Sequence, residues 1–458
     1  MLKRVLVANR GEIAVRIIRA CRDMNIETVA VYSEVDRDAL FVTLSNQAVC
    51  VGKKRSAESY LNINNIISAA VKTGCDAVHP GFGFLSENPE FARKVSENGL
   101  IFIGPDADVI EKLGNKSEAR RLMLEGGVPV VPGSDGIVST AGEAKELAEK
   151  LGYPVLIKAS SGGGGRGMRK SSGPEDIVSS FETASAEALS CFGDGSVYME
   201  KLIINPRHIE IQVLADNYGN TVHLGERECS IQRRNQKMLE ESPSRAIDDA
   251  VRDRMGSIAV TAAKTAGYKN AGTVEFVLDE NQNFYFIEMN TRIQVEHPVT
   301  EMVTGIDIVR EQLRIASGAK LRYKQSDVTF SGHAIECRIN AEDAENGFMP
   351  SPGKIDFLHL PGGYGVRVDT ALYSGCEISP YYDSMVAKVI VHGNTRTEAI
   401  LRMRRALEEF VVLGVKTNLG LLYMILYNPD FLKGRYNTGF IEANLENLLK
   451  PVEKDMML

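Results

Sequence analysis

The sequence predicts a combined α/β and α+β protein. A Rossmann-like parallel sheet comes first, then sheet-rich segments around a glycine loop, then a mixed C-terminal third. Three observations carry this. The opening alternates short apolar runs with helical periodicity, the middle holds strand-like runs separated by turn residues, and from about Gly332 strands and helices alternate again.

Taken in order, Lys3–Ala8 is an apolar strand, Asn9-Arg10-Gly11 a turn, and Glu12–Met24 a helix spaced through Ile13, Ile17 and Ala20. Glu27–Tyr32 is the next strand. Ala77–Val78 leads into the loop Gly81-Phe82-Gly83-Phe84, a helix and the strand Leu100–Ile103, an order that predicts parallel pairing. Gly133-Ser134-Asp135-Gly136 marks a joint, followed by a helix from about Ala141 to Leu151 and the strand Pro154–Ala159. Val197–Leu202, Ile209–Ala215, Thr221–Glu226 and Thr273–Leu278 are expected in a mixed or antiparallel sheet, with Phe284–Met289 completing a hairpin. A chain of 458 residues exceeds what one core serves. With no long linker, two or three tightly packed sub-domains are expected.

Composition excludes several classes. Net charge is −7 with no basic tract, so the footprint of a nucleic-acid binder is missing. The seven cysteines are scattered and form no C-x-x-C pair, which argues against a zinc site or a disulfide framework and fits a reducing cytosol. No stretch approaches the roughly 20 apolar residues of a membrane span, and the short run after Lys3 and Arg4 is no signal peptide. A cytoplasmic protein is expected.

Chemistry concentrates in three places. Ser160-Ser161-Gly162-Gly163-Gly164-Gly165-Arg166-Gly167-Met168 follows a strand ending in Lys158, and side-chain-free backbone can wrap a phosphate with successive N–H groups. Met168 stands where a Walker loop needs Lys, and the formal G-x-G-x-x-G match lacks its helix. In the hairpin, a four-residue turn sets Asp279 opposite Phe284 and therefore Glu275 opposite Glu288. Like charges in that position repel unless a cation lies between them, and magnesium uses one or two carboxylates plus substrate phosphates. Third, if Asn290–Glu296 is extended, period two places Glu288, Asn290, Arg292, Gln294 and Glu296 on one face. Arg292 could then fork a small oxyanion and Glu296 could take its proton. Pro298 would keep His297 extended. The basic run Gln232–Lys237 alone reads as a solvated turn, and Arg338 beside Cys337 as a salt-bridged strand residue.

These motifs together resemble the biotin carboxylases of the ATP-grasp superfamily. The matching text is VLVANRGEIAVRIIRA from Val5, HPGFGFLSEN from His79, VPVVPGSDG from Val128, PVLIKASSGGGGRGM from Pro154, YMEK from Tyr198, ERECSIQRRNQK from Glu226 and FYFIEMNTRIQVEHPVTE from Phe284. The resemblance spans nearly the whole chain. It implies an N-terminal domain over 1–113, an ATP-grasp domain over 114–330 with a mobile lid at about 131–203, and a C-terminal domain over 331–446. It further implies that Lys116, Lys158 and His208 contact ATP phosphates under a lid carrying Gly162, Gly163, Gly164, Gly165 and Gly167. Glu200 and Lys201 would sit at the adenine and Gln232 near the ribose. Glu275 and Glu288 would bind magnesium or manganese, with Asn290 nearby. Lys237, Arg292, Gln294 and Val295 would hold bicarbonate, Glu296 would deprotonate it, and Arg338 would stabilise the biotin enolate.

Many relatives read RRHQK where this chain has Arg234-Asn235-Gln236, so no role passes to Asn235. No Met-Lys-Met biotinylation site is present. Biotin is therefore expected on a separate carrier protein, with carboxyltransferase subunits as further partners, a homodimeric state, and acetyl-CoA carboxylase as the commonest setting. Rival readings are another ATP-grasp ligase joining a carboxylate to an amine, a non-catalytic ATP sensor, and a dehydrogenase resting only on the alternating opening.

Overall fold

The protein is described from a computed structural model covering residues 2–160 and 167–450. Strands β1 (Arg4–Val7), β2 (Glu27–Ser33), β3 (Gln47–Gly52), β4 (Ala77–His79) and β5 (Ile101–Phe102) form the expected parallel sheet, in the order β3-β2-β1-β4-β5. Strand order reverses between β1 and β4, and a crevice opens at the carboxyl ends of strands at such a switch point. The loops leaving β1 and β4, Asn9–Glu12 and Phe82–Phe84, both face the cleft described below.

Helix α1 (Gly11–Asp23) buries residues on almost every side, charged Glu12 and Arg16 included. A helix of that kind belongs inside a molecule. It shares one core with Leu214, Val222, Ala271, Ile293 and the helix Ile308–Ala316. The tight packing between sub-domains expected from the missing linkers follows from this common core.

Strands β6 (Val155–Ala159), β7 (Met168–Ser171) and β8 (Val197–Lys201) make a small antiparallel sheet of their own, in the order β7-β6-β8. The strand expected at Val197–Leu202 therefore does not join the large sheet. Its apolar residues Val197 and Met199 instead fill a separate core with Val155, Ile157, Ala144 and Phe181 beneath the helices Ala141–Leu151 and Ile177–Phe192.

The large sheet is antiparallel throughout. It contains β9 (Arg207–Ala215), β10 (Thr221–Arg233), β11 (Gln236–Ser242), β12 (Asn270–Leu278), β13 (Phe284–Asn290) and β14 (His333–Asn340), in the order β13-β12-β9-β10-β11-β14. Beyond β14 come the strands Met385–Gly393 and then Val366–Thr370. Because β11 pairs with β14, one sheet runs from the middle of the chain into its last third.

The basic run is a solvated turn only at its tip, where Arg234, Asn235 and Gln236 are exposed, while Gln232 is buried and Lys237 lines the cleft. Arg233 pairs with Gln236, and the two residues between them, Arg234 (φ 50°) and Asn235 (φ 63°), are both left-handed. A two-residue hairpin turn needs that conformation, and Asn tolerates it better than most side chains. The turn sends β11 back so that Lys237 points into the cleft.

The segment after β13 also departs from expectation. The strand stops at Asn290, Thr291 and Arg292 bend, Val295 and Glu296 form a turn, and His297 opens the helix His297–Thr304. Pro298 does not keep His297 extended. It occupies the first helical turn, where its missing N–H costs nothing. His297 is fully buried and its Nδ1 lies 2.8 Å from the Gln294 carbonyl oxygen, which makes it structural.

Candidate active site

A cavity of about 910 Å³ lies between the parallel sheet, the small sheet and the large sheet. The expected site residues Lys116, Lys158, Glu200, Lys201, His208, Gln232, Lys237, Glu275, Glu288, Asn290, Arg292, Gln294, Val295, Glu296 and Arg338 all line it. Gly162, Gly163, Gly164 and Gly165 lie outside the described residues. Gly167 does not line the cavity. It is left-handed (φ 69°), its carbonyl accepts from the Ala159 N–H at 2.9 Å, and a side chain there would meet the Ala159 Cβ. It therefore fixes the base of the loop.

Glu275 does lie opposite Glu288, though by an unforeseen route. At the hairpin tip Leu278 faces Phe284 and Phe276 faces Phe286, one residue out of the register expected. A bulge between Phe276 and Glu275 then restores it, so that Glu275 faces Glu288 and Thr273 faces Asn290. The extra residue, Ile287, also exchanges the faces of β13. Phe284, Phe286 and Met289 enter the core, while Glu288 and Asn290 reach the cleft. Without it, strict alternation would bury Glu288 beside Phe284 and Phe286.

Lys237 is the centre of the site. Its ammonium contacts Glu210 at 2.5 Å, Glu275 at 3.0 Å and Glu296 at 2.6 Å. Arg338 reaches the other oxygen of Glu296 at 2.9 Å. Burial by itself pushes the Glu296 carboxyl up, but Lys237, Arg338 and Arg227 more than reverse it and hold Glu296 well below the usual carboxylate range. The same contest, won by Lys237 and His208, holds Glu275 well below it too. Both acids stay ionised because cations surround them.

Arg292 lies on the cleft wall, with Nε 3.0 Å from Glu87 and Nη2 3.1 Å from the Asn290 amide oxygen. Gln294 donates to Glu275 at 2.7 Å and accepts from Arg227 at 2.7 Å. The Val295 carbonyl accepts from Lys388 at 2.7 Å. The charged groups expected at phosphates and adenine are paired across the cleft: Lys116 with Glu288 at 2.7 Å, Lys158 with Glu200, and His208 with Glu275 at 3.1 Å. Lys201 caps the Gly152 and Tyr153 carbonyls at 2.6 and 3.0 Å.

Glu275 and Glu288 offer the hard oxygen donors that magnesium or manganese uses beside a polyphosphate, so they fit such an ion. As placed, Asn290 turns its amide nitrogen to Glu275 (2.9 Å) and its oxygen to Arg292, which orients both. His208, Glu210 and Glu275 also converge within 4.8 Å, but the Lys237 ammonium already serves as cation for two of them.

Four residues escape a reading of the sequence. Arg227 is fully buried and bonded to Glu210, Gln212, Thr273, Thr300 and Gln294. Glu210 shares that bond network, Glu87 anchors Arg292, and Lys388 supports Val295. One of them leaves a trace: in β9, Glu210 and Gln212 alternate with Ile209, Ile211 and Val213, a polar face on a strand otherwise too apolar for solvent. Glu87 and Arg227 stand inside the matching segments HPGFGFLSEN and ERECSIQRRNQK without a role assigned to them, and Lys388 leaves no trace because its partners are distant in sequence.

Comparison with known proteins agrees with this geometry. Family profiles match the chain as "Biotin carboxylase, N-terminal domain" over residues 1–110, "Carbamoyl-phosphate synthase L chain, ATP binding domain" over 115–324 and "Biotin carboxylase C-terminal domain" over 336–443. Biotin carboxylase 1 of Bacillus subtilis is 58% identical, over 97% of this chain and 99% of its own. The 2-oxoglutarate carboxylase small subunit of Hydrogenobacter thermophilus is 52% identical, over 97% and 94%. Among solved structures, the biotin carboxylase domain dimer of the Hydrogenobacter thermophilus 2-oxoglutarate carboxylase, in complex with MgADP, ADP and bicarbonate, superposes with a TM-score of 0.95 at 51% identity, covering 99% of this chain and 100% of its own. Full-length matches at this identity, on a fold that brings the acids and cations of both signature segments into one cleft, establish that the chain belongs to the biotin carboxylase family, ATP-dependent ligases built on the ATP-grasp fold.

Proposed function

We propose that this chain carboxylates biotin on a separate carrier protein, using ATP, bicarbonate and a magnesium or manganese ion. The observation that carries the reading is Glu296, ionised and fully enclosed between Lys237 and Arg338 within the same cleft as the Glu275–Glu288 pair.

In this reading bicarbonate enters among Lys237, Arg292, Gln294 and Val295. Its negative charge draws on the cations that hold Glu296 acidic, so arrival of the anion strengthens the base that must deprotonate it. Glu296 takes the proton, the resulting oxyanion attacks the γ-phosphate of ATP, and carboxyphosphate and ADP form. Lys116, Lys158 and His208 offset charge on the phosphates, a step governed by positioning and electrostatics. Glu275 and Glu288 would hold the metal ion, which supplies charge neutralisation at the phosphates. Carboxyphosphate splits to carbon dioxide and phosphate. Phosphate removes the ureido proton of biotin, and the enolate, stabilised by Arg338, captures the carbon dioxide. Glu200, Lys201 and Gln232 line the nucleoside end. The segment from about 131 to 203 would be a lid that carries the glycine loop over the phosphates and keeps water from carboxyphosphate.

Domains over 1–113, 114–330 and 331–446 are part of this reading, as are a homodimer, a biotin carboxyl carrier protein and carboxyltransferase subunits as partners, and a cytoplasmic location. Among the described residues no helix is long and apolar enough to cross a membrane. The final acceptor is proposed to be acetyl-CoA, for fatty acid synthesis. A 2-oxo acid is the second reading, because the Hydrogenobacter relative and a pyruvate carboxylase component of Methanothermobacter thermautotrophicus are each 52% identical.

Glu296→Gln tests the central role. Bicarbonate-dependent ATP cleavage should fall at least about a hundredfold while ATP affinity, read by calorimetry, changes little. Turnover near that of the unaltered protein would remove Glu296 as the base.

A further inference from the structure

Behind Arg338 the large sheet carries acids with too few partners. β11 and β14 pair so that Glu240 lies directly opposite Glu336. Arg338 in turn lies opposite Lys388 of the strand Met385–Gly393. Glu240, Glu336 and Lys388 have no exposed surface at all. One oxygen of Glu240 takes both Nε (2.6 Å) and Nη2 (2.5 Å) of Arg338, but its other oxygen has no hydrogen-bond partner, and neither oxygen of Glu336 has one. Arg338 cannot neutralise this pair alone, because its Nη2 is also shared with Glu296 at 2.9 Å. Lys388 donates to the Val295 carbonyl at 2.7 Å and pairs with Glu12 at 3.2 Å, so its charge acts on Glu336 without a hydrogen bond to it.

Two carboxylates facing each other across buried strands repel, and an unpaired buried charge is costly enough that such a group neutralises instead. We propose that Glu240 is a positioning residue for Arg338, and that the buried Glu240–Glu336 pair holds a proton whose release, as pH rises, seats Arg338 for the biotin step. This rests on the role given to Arg338 above. It adds a second shared-charge arrangement: an ionised Glu240 competes with Glu296 for one guanidinium, whereas a neutral Glu240 leaves Arg338 to Glu296 alone.

The groups facing Glu240 are consistent with this. They are Arg338, Glu336 and Cys337 from β14, Cys229 from β10, Lys237 from its own strand and Glu296 from the turn before the helix His297–Thr304. Burial, against the pull of Arg338 and with Glu296 adding to it, pushes Glu240 up to about 7. Burial also pushes Glu336 well above the usual carboxylate range, against the pull of Lys388 and Arg338 and with Glu240 adding to it.

The test compares biotin carboxylation with bicarbonate-dependent ATP cleavage in the full chain, between about pH 6 and pH 9. Unaltered protein should show carboxylation rising through neutrality. Glu240→Gln fixes the neutral form. It should lose that rise and carboxylate about tenfold more slowly at high pH, with a clearly smaller loss of ATP cleavage. Glu336→Gln mimics a carboxyl already protonated and should keep the rise. An infrared titration of the unaltered protein provides a measurement that needs no variant to fold, since a buried-carboxyl C=O band should lose intensity through the same range. A pH profile unchanged in Glu240→Gln, equal losses in both assays, or no titrating carboxyl band would each overturn the inference. Arg338→Ala separates the levels. If it slows carboxylation more than ATP cleavage while Glu240→Gln does not, the Arg338 role stands and the Glu240 inference falls. If it slows both equally, the Arg338 role itself falls.

Discussion

At the scale of the residue, the site is a set of acids kept ionised by cations that come from other parts of the chain. Arg292 depends on Glu87, 205 positions away, and Val295 on Lys388, 93 positions away. Lys388 is the sharper case. A fully buried ammonium is tolerated only when paired, and this one divides itself between Glu12 of α1 and the Val295 carbonyl, next to the proposed base. Removing Lys388 alone would strand Glu12 and cost about 3–5 kcal/mol, so the informative variant is Lys388→Met with Glu12→Gln. With Val295 released, KM for bicarbonate should rise about tenfold while KM for ATP stays within about twofold. Steady-state kinetics at varied bicarbonate, then varied ATP, measure this. Equal changes in both constants would mean a general loosening of the cleft.

At the scale of the element, the hairpin of β12 and β13 shows what sequence does and does not disclose. The apolar alternation of Thr273–Leu278 and Phe284–Met289 predicts the hairpin, and the facing of Glu275 and Glu288 follows from it. The reason is incomplete, because residue counting places the register one step out at the tip and the Ile287 bulge corrects it. Nothing in the composition of Phe284–Asn290 distinguishes a bulged strand from a regular one. In the same way, Val197–Leu202 reads as a strand but not as a member of the small sheet, since an apolar run does not name its neighbours. The polar run Asn290–Glu296 is legible as the chemical centre even though it bends where a strand is expected; turns can converge side chains on a cleft as well as one strand face can. The bulge itself is testable. Deleting Ile287 should turn Glu288 into the core beside Phe284 and Phe286, lower the thermal midpoint, and cut bicarbonate-dependent ATP cleavage at least about a hundredfold. Ile287→Val keeps the extra residue and should retain cleavage within about threefold. Similar activity in the two variants would show that the phase of β13 does not matter.

At the scale of the whole molecule, the unusual number of buried ionisable groups shapes the response to acid. Burial pushes His79 down to about 3, and holds His297 well below and His223 below the usual histidine range. As pH falls below about 6.5, the unfolded chain protonates these rings and the native one does not, so stability is lost. Burial acts oppositely on Glu12, Glu240 and Glu336, all held above the usual carboxylate range. As pH falls through their native values toward about 4.5, the native state takes up protons first and stability is gained. As pH falls, the three buried histidines and the three buried acids act on stability in opposite directions. The thermal midpoint should therefore vary by no more than about 3 °C between about pH 6.5 and pH 5. Below about pH 4 the compensation ends. There Asp369, brought down to about 2 by Arg367 against the upward push of burial, stays ionised in the native state alone, as do Glu275, Glu296 and Glu301. Each contributes stability that is present above the unfolded carboxylate range and disappears as pH falls toward its native value, so the midpoint should drop steeply. Glu240→Gln removes one of the three compensating acids, and its midpoint should fall between about pH 7 and pH 5 where that of the unaltered chain stays level. Scanning calorimetry at matched ionic strength reads both curves. A level curve in the variant would mean that Glu240 does not carry a native-state proton near neutrality, and a falling curve in the unaltered chain would mean that the histidines outweigh the buried acids.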